Sequence, residues 1–213
     1  MSRYTRWLWS LFLAGSLLLL PAVSRGDILS ENFNELSPTA LNAPSPVGAF
    51  SVTAGTVDLV GGALFGSLCA APEGGNCVDM DGSNGHAGQL TSAPLTFAPG
   101  TYTLSFDLIG SQRGPSTITT VTLGSLYNQT FVLASNDDTD GIVNFTFTVG
   151  STIVAPLVFT SSDGASNIGA LLDNVDIAGS GTGTSPTPEP ATLAMLAVGL
   201  LSLAAGHKLA IGK

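Results

Sequence analysis

Two loops of the chain carry acidic side chains at the spacing used by calcium sites. Calcium takes six to eight oxygen ligands, and acids separated by one residue in a tight turn present several oxygens to one point. Asp79 and Asp81 have this spacing and are followed by Gly82. Solvated turn acids are the alternative, although the only lysines, Lys208 and Lys213, lie far away in the C-terminal tail and cannot pair with them locally.

The second loop begins at Asn136 and reads Asn-Asp-Asp-Thr-Asp-Gly. Asn136, Asp138 and Asp140 fit positions one, three and five of a calcium loop. Position twelve, however, falls on Phe147, where such a loop needs a bidentate glutamate. The favoured interpretation of this loop is therefore a hairpin turn, with calcium binding as the alternative.

Residue types suited to catalysis are sparse. His86 is the only histidine between residues 27 and 187, and no Gly-x-Ser-x-Gly sequence is present to expose a serine nucleophile. Fourteen carboxylates lie in the same range, so a pair that hydrolyses glycosidic bonds is an open alternative. Their abundance is not in itself evidence for such a pair.

The charge of residues 27–187 limits the partners of the protein. Fourteen acids are balanced by one base, Arg113, which gives this range a formal charge of −13. A surface of that sign repels phosphate backbones and anionic headgroups, which argues against nucleic acid as a partner. Divalent cations are the natural counter-ions.

The elements that position these groups are β-strands. Residues 102–108 and 143–149 alternate apolar and polar side chains, as expected for half-buried strands. Turn residues separate the segments, and no long helical period competes. The sequence therefore predicts an all-β fold, an antiparallel β-sandwich. Further strands are predicted at Phe50–Val60, Thr117–Leu123, Tyr127–Leu133, Ile153–Phe159 and Ala170–Ile177.

Both ends of the chain are apolar. Residues 1–26 combine two early arginines with an apolar run of 14 residues, Trp7–Leu20, which predicts a secretory signal peptide. The β-domain is assigned to residues 27–178, and a Gly/Ser/Thr/Pro linker to residues 179–187. The apolar run Ala191–Gly206 then predicts a short transmembrane helix.

Cys69 and Cys77 are the only two cysteines in the chain. An exported protein meets an oxidising compartment, which predicts a disulfide between them. A nucleophilic cysteine is the weaker alternative, because residues 27–187 contain no lysine and only one histidine that could lower the pKa of a thiol.

The C-terminal segment, residues 188–213, begins with Pro188, Glu189 and Pro190 directly before the apolar run, which is followed by basic residues, and the chain begins with a predicted leader. In this order the features resemble the PEP-CTERM sorting signal. The resemblance implies recognition by an exosortase, a membrane thiol transpeptidase, while the helix holds the chain in the membrane. It also implies delivery to the cell surface or extracellular matrix.

Four segments of the β-domain, 31–34, 78–82, 100–107 and 171–175, carry a looser resemblance. In these segments the domain resembles the jelly-roll sandwiches of galactose-binding and carbohydrate-binding modules. It implies that the first and last strands are neighbours. It also implies a structural calcium held by an early acid, a loop aspartate and an acid near the last strand, which here are Glu31, Asp79, Asp81 and Asp173.

Together these patterns predict a non-enzymatic protein of the cell envelope, cell surface or extracellular matrix that contacts exopolysaccharide and calcium. Two alternatives are a secreted hydrolase acting on glycans and a self-assembling matrix protein. Two carboxyls facing each other across an open groove would favour the hydrolase. An exposed, unpaired edge strand would favour self-assembly.

Overall fold

The computed structural model describes residues 26–37, 41–62, 65–69, 75–163 and 167–180. In these ranges the chain forms fifteen β-strands and one short 3-10 helix, Gly66–Cys69. Every strand pairing among them is antiparallel. Apart from Gly26, the predicted signal peptide lies outside the described residues, as do the sorting tripeptide and the predicted transmembrane helix.

The strands are numbered in chain order. They are β1 (Gly26–Glu31), β2 (Phe50–Ala54), β3 (Asp58–Gly61), β4 (Asn76–Asp79), β5 (Asp81–Gly82), β6 (His86–Ala87), β7 (Gln89–Ser92), β8 (Leu95–Phe97), β9 (Gly100–Ile109), β10 (Thr117–Leu123), β11 (Tyr127–Leu133), β12 (Ile142–Val149), β13 (Ile153–Ala155), β14 (Leu157–Ser161) and β15 (Leu171–Ser180).

Two sheets contain most of these strands. The first sheet has six strands in the order β12-β9-β15-β4-β3, with β1 also paired to β15. The second sheet has five strands in the order β11-β10-β14-β7-β2. Buried apolar residues of both sheets belong to one core cluster, so the sheets pack face to face as a sandwich. The all-β prediction is confirmed, and the first and last described strands are neighbours as expected.

The alternation in the sequence determines which side chains enter this core. In β9 the side chains of Tyr102, Leu104, Phe106 and Leu108 are buried, while the intervening residues are only half-buried. The opposite face of β9 carries hydroxyls and a carboxylate, which remain in contact with water. Each sheet thus has one apolar face toward the core and one polar face outward.

Phenylalanine rings connect the two sheets across the core. Phe106 of the first sheet meets Phe159 of the second edge-to-face, with ring centroids 5.2 Å apart. Phe106 also contacts Phe131 at 5.8 Å, and Phe159 contacts Phe50 at 5.9 Å. Edge-to-face pairs add stabilisation to that of the buried area, because the positive ring edge meets the negative ring face. Phe106 therefore contacts two strands of the opposite sheet, β11 and β14.

Two predicted strands are each divided into two in the structure. Phe50–Val60 breaks at Gly55, whose φ of +57° suits glycine, and β2 and β3 then join different sheets. A Cβ on Gly55 would lie 1.9 Å from the carbonyl oxygen of Ala87. Ile153–Phe159 breaks at Pro156, which has no N–H to donate to a ladder.

The paired strands extend beyond residues 27–178 at both ends. Strand β15 includes Gly179 and Ser180 of the predicted linker, which pair with Tyr102 and Thr101. Strand β1 begins at Gly26, the last residue of the predicted signal peptide, which pairs with Gly179. In the part of the chain that the structure describes, no helix has the length and apolar character needed to span a membrane.

Replacement of Phe106 by alanine tests the contact between the sheets. Phe106→Ala is expected to lower the free energy of unfolding by about 3–5 kcal/mol, because it leaves a cavity against Phe159 and Phe131. Val132→Ala, at a side chain that is 67% exposed, serves as the control and is expected to change it by less than about 0.5 kcal/mol. Urea unfolding measures both, and equal losses would contradict this role of Phe106.

Candidate functional site

The four acids predicted to bind calcium have separate partners. The Glu31 carboxylate accepts hydrogen bonds from the backbone N–H groups of Phe33 and Ala49, each at 2.7 Å. A Cβ on Gly48, whose φ is +56°, would lie 2.1 Å from Glu31 Oε2. Glu31 therefore fastens the loop before β2 to the end of β1, and a side chain at residue 48 would displace its carboxylate.

Asp79 is fully buried at the end of β4 and forms an ion pair with Arg113. Its Oδ1 accepts hydrogen bonds from the backbone N–H groups of Asp81 at 3.0 Å and Gly169 at 2.8 Å. Burial raises the pKa of Asp79 to about 7, although these hydrogen bonds and Arg113 act to lower it. The guanidinium also lies 5.7 Å from the centroid of the Phe65 ring. The Asp79 carboxylate therefore already has a cationic partner.

Asp173 lies on β15 directly across from Asp107 of β9. Asp173 Oδ1 accepts a hydrogen bond from the N–H of Asn174 at 2.7 Å, and Asn174 Nδ2 donates to Asp107 Oδ2 at 2.8 Å. Asn174 has a φ of +51° and sits within a β-bulge. The Asn174 side-chain amide therefore binds the carboxylate of Asp107, on the inner strand β9 of the first sheet.

The structure does not gather Glu31, Asp79, Asp81 and Asp173 into one metal centre. Among the described residues, no group of three or more histidine, cysteine, aspartate or glutamate side chains is placed to hold a metal ion. The oxygens of Glu31 and Asp79 are engaged by backbone N–H groups and by Arg113. Spacing alone could not reveal these partners.

The loop between β11 and β12 has the properties of a turn. Asp137, rather than Asn136, Asp138 or Asp140, organises the loop, since its Oδ1 accepts the N–H groups of Thr139 at 3.0 Å and Asp140 at 2.9 Å. These hydrogen bonds lower the pKa of Asp137. The three predicted ligands in this loop are exposed. The geometry agrees with the turn interpretation.

The predicted disulfide between Cys69 and Cys77 is present, with Cα atoms 5.6 Å apart. Both cysteines are buried in a small apolar cluster with Val60, Ile109 and Leu171. The bond joins the 3-10 helix to β4 and thereby closes the segment between them. His86, by contrast, is exposed on the short strand β6.

A row of hydroxyl and amide side chains crosses the outer face of the second sheet. We call it the polar row, and it takes one residue from each strand of that sheet: Thr53, Gln89, Thr160, Thr120 and Thr130. All five side chains are exposed or half-buried. Five strands at a spacing of about 4.8 Å make the row about 19 Å long.

Hydrogen bonds join most neighbouring side chains of the polar row to one another. Gln89 Nε2 donates to Thr160 Oγ1 at 2.9 Å, and Gln89 Oε1 accepts from Thr53 Oγ1 at 2.9 Å. The hydroxyls of Thr120 and Thr130 lie 2.9 Å apart. Sequence reasoning missed this row because the strand register decides which threonines meet. The available signal was the alternation of threonine with valine and leucine in β10.

Residues 186–208 match the PEP-CTERM protein-sorting motif. The motif marks a protein that is exported and anchored at the cell surface through an exosortase, as expected from Pro188, Glu189 and Pro190. The motif lies outside the described residues. No curated protein sequence matches the chain.

Several solved structures are similar to the chain at low sequence identity. The CBM22-1 xylan-binding domain of Paenibacillus barcinonensis Xyn10C is 14% identical with a TM-score of 0.44, over 74% of this chain and 97% of that one. The K3 cleaved adhesin domain of Lys-gingipain from Porphyromonas gingivalis is 16% identical with a TM-score of 0.41, over 71% and 99%. An exo-beta-1,3-galactanase from Phanerochaete chrysosporium is 16% identical with a TM-score of 0.36. This match covers 70% of the present chain and 29% of the galactanase.

Removal of the charge of Arg113 tests the ion pair at Asp79. Arg113→Met is expected to lower the free energy of unfolding by about 3 kcal/mol, because it leaves the buried Asp79 without its counter-charge. The double variant Asp79→Asn/Arg113→Met is expected to recover part of this loss, since no buried charge remains. Urea unfolding of the two single variants and the double variant gives the coupling energy. Additive losses would contradict the pairing.

Proposed function

We propose that the protein is a non-enzymatic surface protein whose sandwich contacts neutral polysaccharide through the polar row. The observation that carries this proposal is the row of hydroxyl and amide groups across all five strands of the second sheet, which forms two hydrogen-bonded sets. Sugar hydroxyls are both donors and acceptors, as are the threonine hydroxyl and the glutamine amide. A flat row about 19 Å long offers such groups to several sugar units at once.

The polymer suited to this face is defined by charge and by side-chain type. Residues 27–187 carry a formal charge of −13, which repels anionic polymers and favours neutral ones. The five residues of the row include no aromatic side chain on which a sugar ring could stack. Binding therefore depends on many hydrogen bonds, each weak on its own because water competes for the same groups.

One close pair of carboxylates, Asp81 and Asp163, is not placed for hydrolysis of a surface-bound glycan, which supports the non-enzymatic part of the proposal. Ser161 Oγ lies 2.7 Å from Asp81 Oδ1 and 3.1 Å from Asp163 Oδ2, so these two carboxylates are close neighbours. Glycoside hydrolysis needs two carboxyls that both reach the substrate. Asp81 is fully buried, and a polysaccharide on the surface does not reach it.

Replacement of Gln89 by leucine tests glycan binding by the polar row. Gln89→Leu removes the amide that joins Thr53 to Thr160 and is expected to weaken binding of a neutral polysaccharide about tenfold. Asn144→Leu makes the matched change on the outer face of the first sheet and is expected to leave affinity unchanged. A glycan panel followed by isothermal titration provides the measurement. Equal affinities of the two variants would contradict the assignment.

The free edges of the sandwich favour a second candidate function, self-assembly. Among the strands that the structure describes, β11 and β12 lie at the edges of their sheets, and neither contains a charged residue, proline or glycine. The N–H of Leu108 donates to the Gly141 carbonyl at 3.1 Å, so the antiparallel alternation turns the N–H groups of Asn144, Thr146 and Thr148 toward the free edge. Such an edge can add a strand from a second copy.

A charge placed on β12 tests self-assembly. Thr146→Glu sets like charges close together when two β12 edges pair, and it is expected to weaken dimerisation about tenfold. Thr103→Glu is the control, because Thr103 is the cross-strand partner of Thr146 on the inner neighbour β9. Sedimentation velocity over a range of concentrations measures the dimer. A wild-type protein that stays monomeric throughout would contradict this candidate.

A further inference from the structure

Two carboxylates share one hydroxyl at the C-terminal end of β14. Ser161 Oγ lies 2.7 Å from Asp81 Oδ1 and 3.1 Å from Asp163 Oδ2. A hydroxyl has one proton and donates it to one acceptor at a time. The other carboxylate then faces an oxygen lone pair, which is unfavourable unless a positive charge lies nearby. Burial, with a smaller contribution from the neighbouring Asp81, raises the pKa of Asp163, although hydrogen bonds from the Ile118 N–H and the Ser161 hydroxyl act to lower it.

Two buried hydroxyls without partners lie on the adjacent strand. Thr119 of β10 stands directly across from Ser161 in the ladder, and both side chains are buried, so they share the inner face of the sheet. Thr117 precedes Thr119 by two residues and faces the same way. The Oγ1 atoms of Thr117 and Thr119 have no hydrogen-bond partner, although the residues are 0% and 1% exposed.

Buried polar atoms in folded proteins are nearly always paired with protein atoms, water or an ion. At this end of the sandwich, the unpaired hydroxyls of Thr117 and Thr119 lie beside the Ser161 hydroxyl, which is within hydrogen-bond distance of two carboxylates. Arg113, the one lysine or arginine between residues 27 and 187, does not supply positive charge here, because it is paired with Asp79. Both observations are explained by one ligand that accepts lone pairs from several oxygens.

We propose that a calcium ion binds here, between the carboxylates of Asp81 and Asp163 and the hydroxyls of Thr119 and Ser161. Calcium prefers oxygen ligands and tolerates irregular geometry, and two carboxylates balance its charge. Asp163 is half-buried, which gives the ion a path from solvent. The site shares only Asp81 with the ligand set expected from the sequence. With two carboxylates and neutral oxygens, its dissociation constant is expected at about 10⁻⁴–10⁻³ M, as in extracellular modules.

Replacement of Thr119 by valine distinguishes a calcium ligand from a hydroxyl that is merely unpaired. If no ion binds, Thr119→Val removes an unsatisfied buried hydroxyl at nearly constant volume, and the melting temperature rises with or without calcium. If calcium binds, the wild-type full chain melts about 5 °C higher in 10 mM calcium than in chelator. The valine variant is then expected to lose most of that shift.

Asp163→Asn provides the second variant, since it removes one charged ligand and is expected to abolish the calcium-dependent shift. Asp176→Asn is the matched control, because Asp176 lies on β15 of the other sheet, and it is expected to retain the shift. Equilibrium dialysis with the metal alone is expected to give one bound calcium per chain. Three results would each overturn the proposal: no shift in the wild type, a Thr119→Val variant stabilised equally in calcium and chelator, or a stability that changes with pH but not with calcium.

Discussion

The packing of Phe106 against Phe159 is the interaction on which the rest of the molecule depends. It fixes the two sheets face to face, and Phe131 and Phe50 extend the contact within the second sheet. Because the core takes up the apolar face of each sheet, the outward faces are free to carry hydroxyls, amides and carboxylates. The polar row and the free edges are both consequences of this division.

The many acids of residues 27–187 and the absence of lysine there determine which partners the carboxylates have. Arg113 is the one base among residues 27–187, and it is committed to Asp79. Other acids satisfy their oxygens with backbone N–H groups: Glu31 fastens a loop, and Asp137 closes a turn. Asp163 accepts the Ile118 N–H in the same way, but it also meets the carboxylate of Asp81 at the Ser161 hydroxyl, which is where we propose that an external cation binds.

The sequence predicted the strands better than it predicted the site. Alternation identified β9, β10, β11 and β12, because their burial follows the two-residue period. It could not show the break at Gly55, which depends on the close approach of the Ala87 backbone, or the break at Pro156, which has no N–H to donate. The disulfide followed from having only two cysteines in an exported chain. Strand order decides which acids meet, so spacing alone could not show that Glu31, Asp79, Asp81 and Asp173 have separate partners, and the polar row required the register of five strands.

The sorting motif explains why a surface of this kind is displayed outside the cell, and the sandwich is the part that meets its surroundings. We propose that the outer face of the second sheet contacts neutral polysaccharide. This contact can be measured by methyl NMR of threonine-labelled protein titrated with a panel of neutral oligosaccharides. Shifts are expected at Thr53, Thr120 and Thr160, with none at Thr103 or Thr148 of the first sheet. Shifts confined to the first sheet, or none with any oligosaccharide, would contradict it.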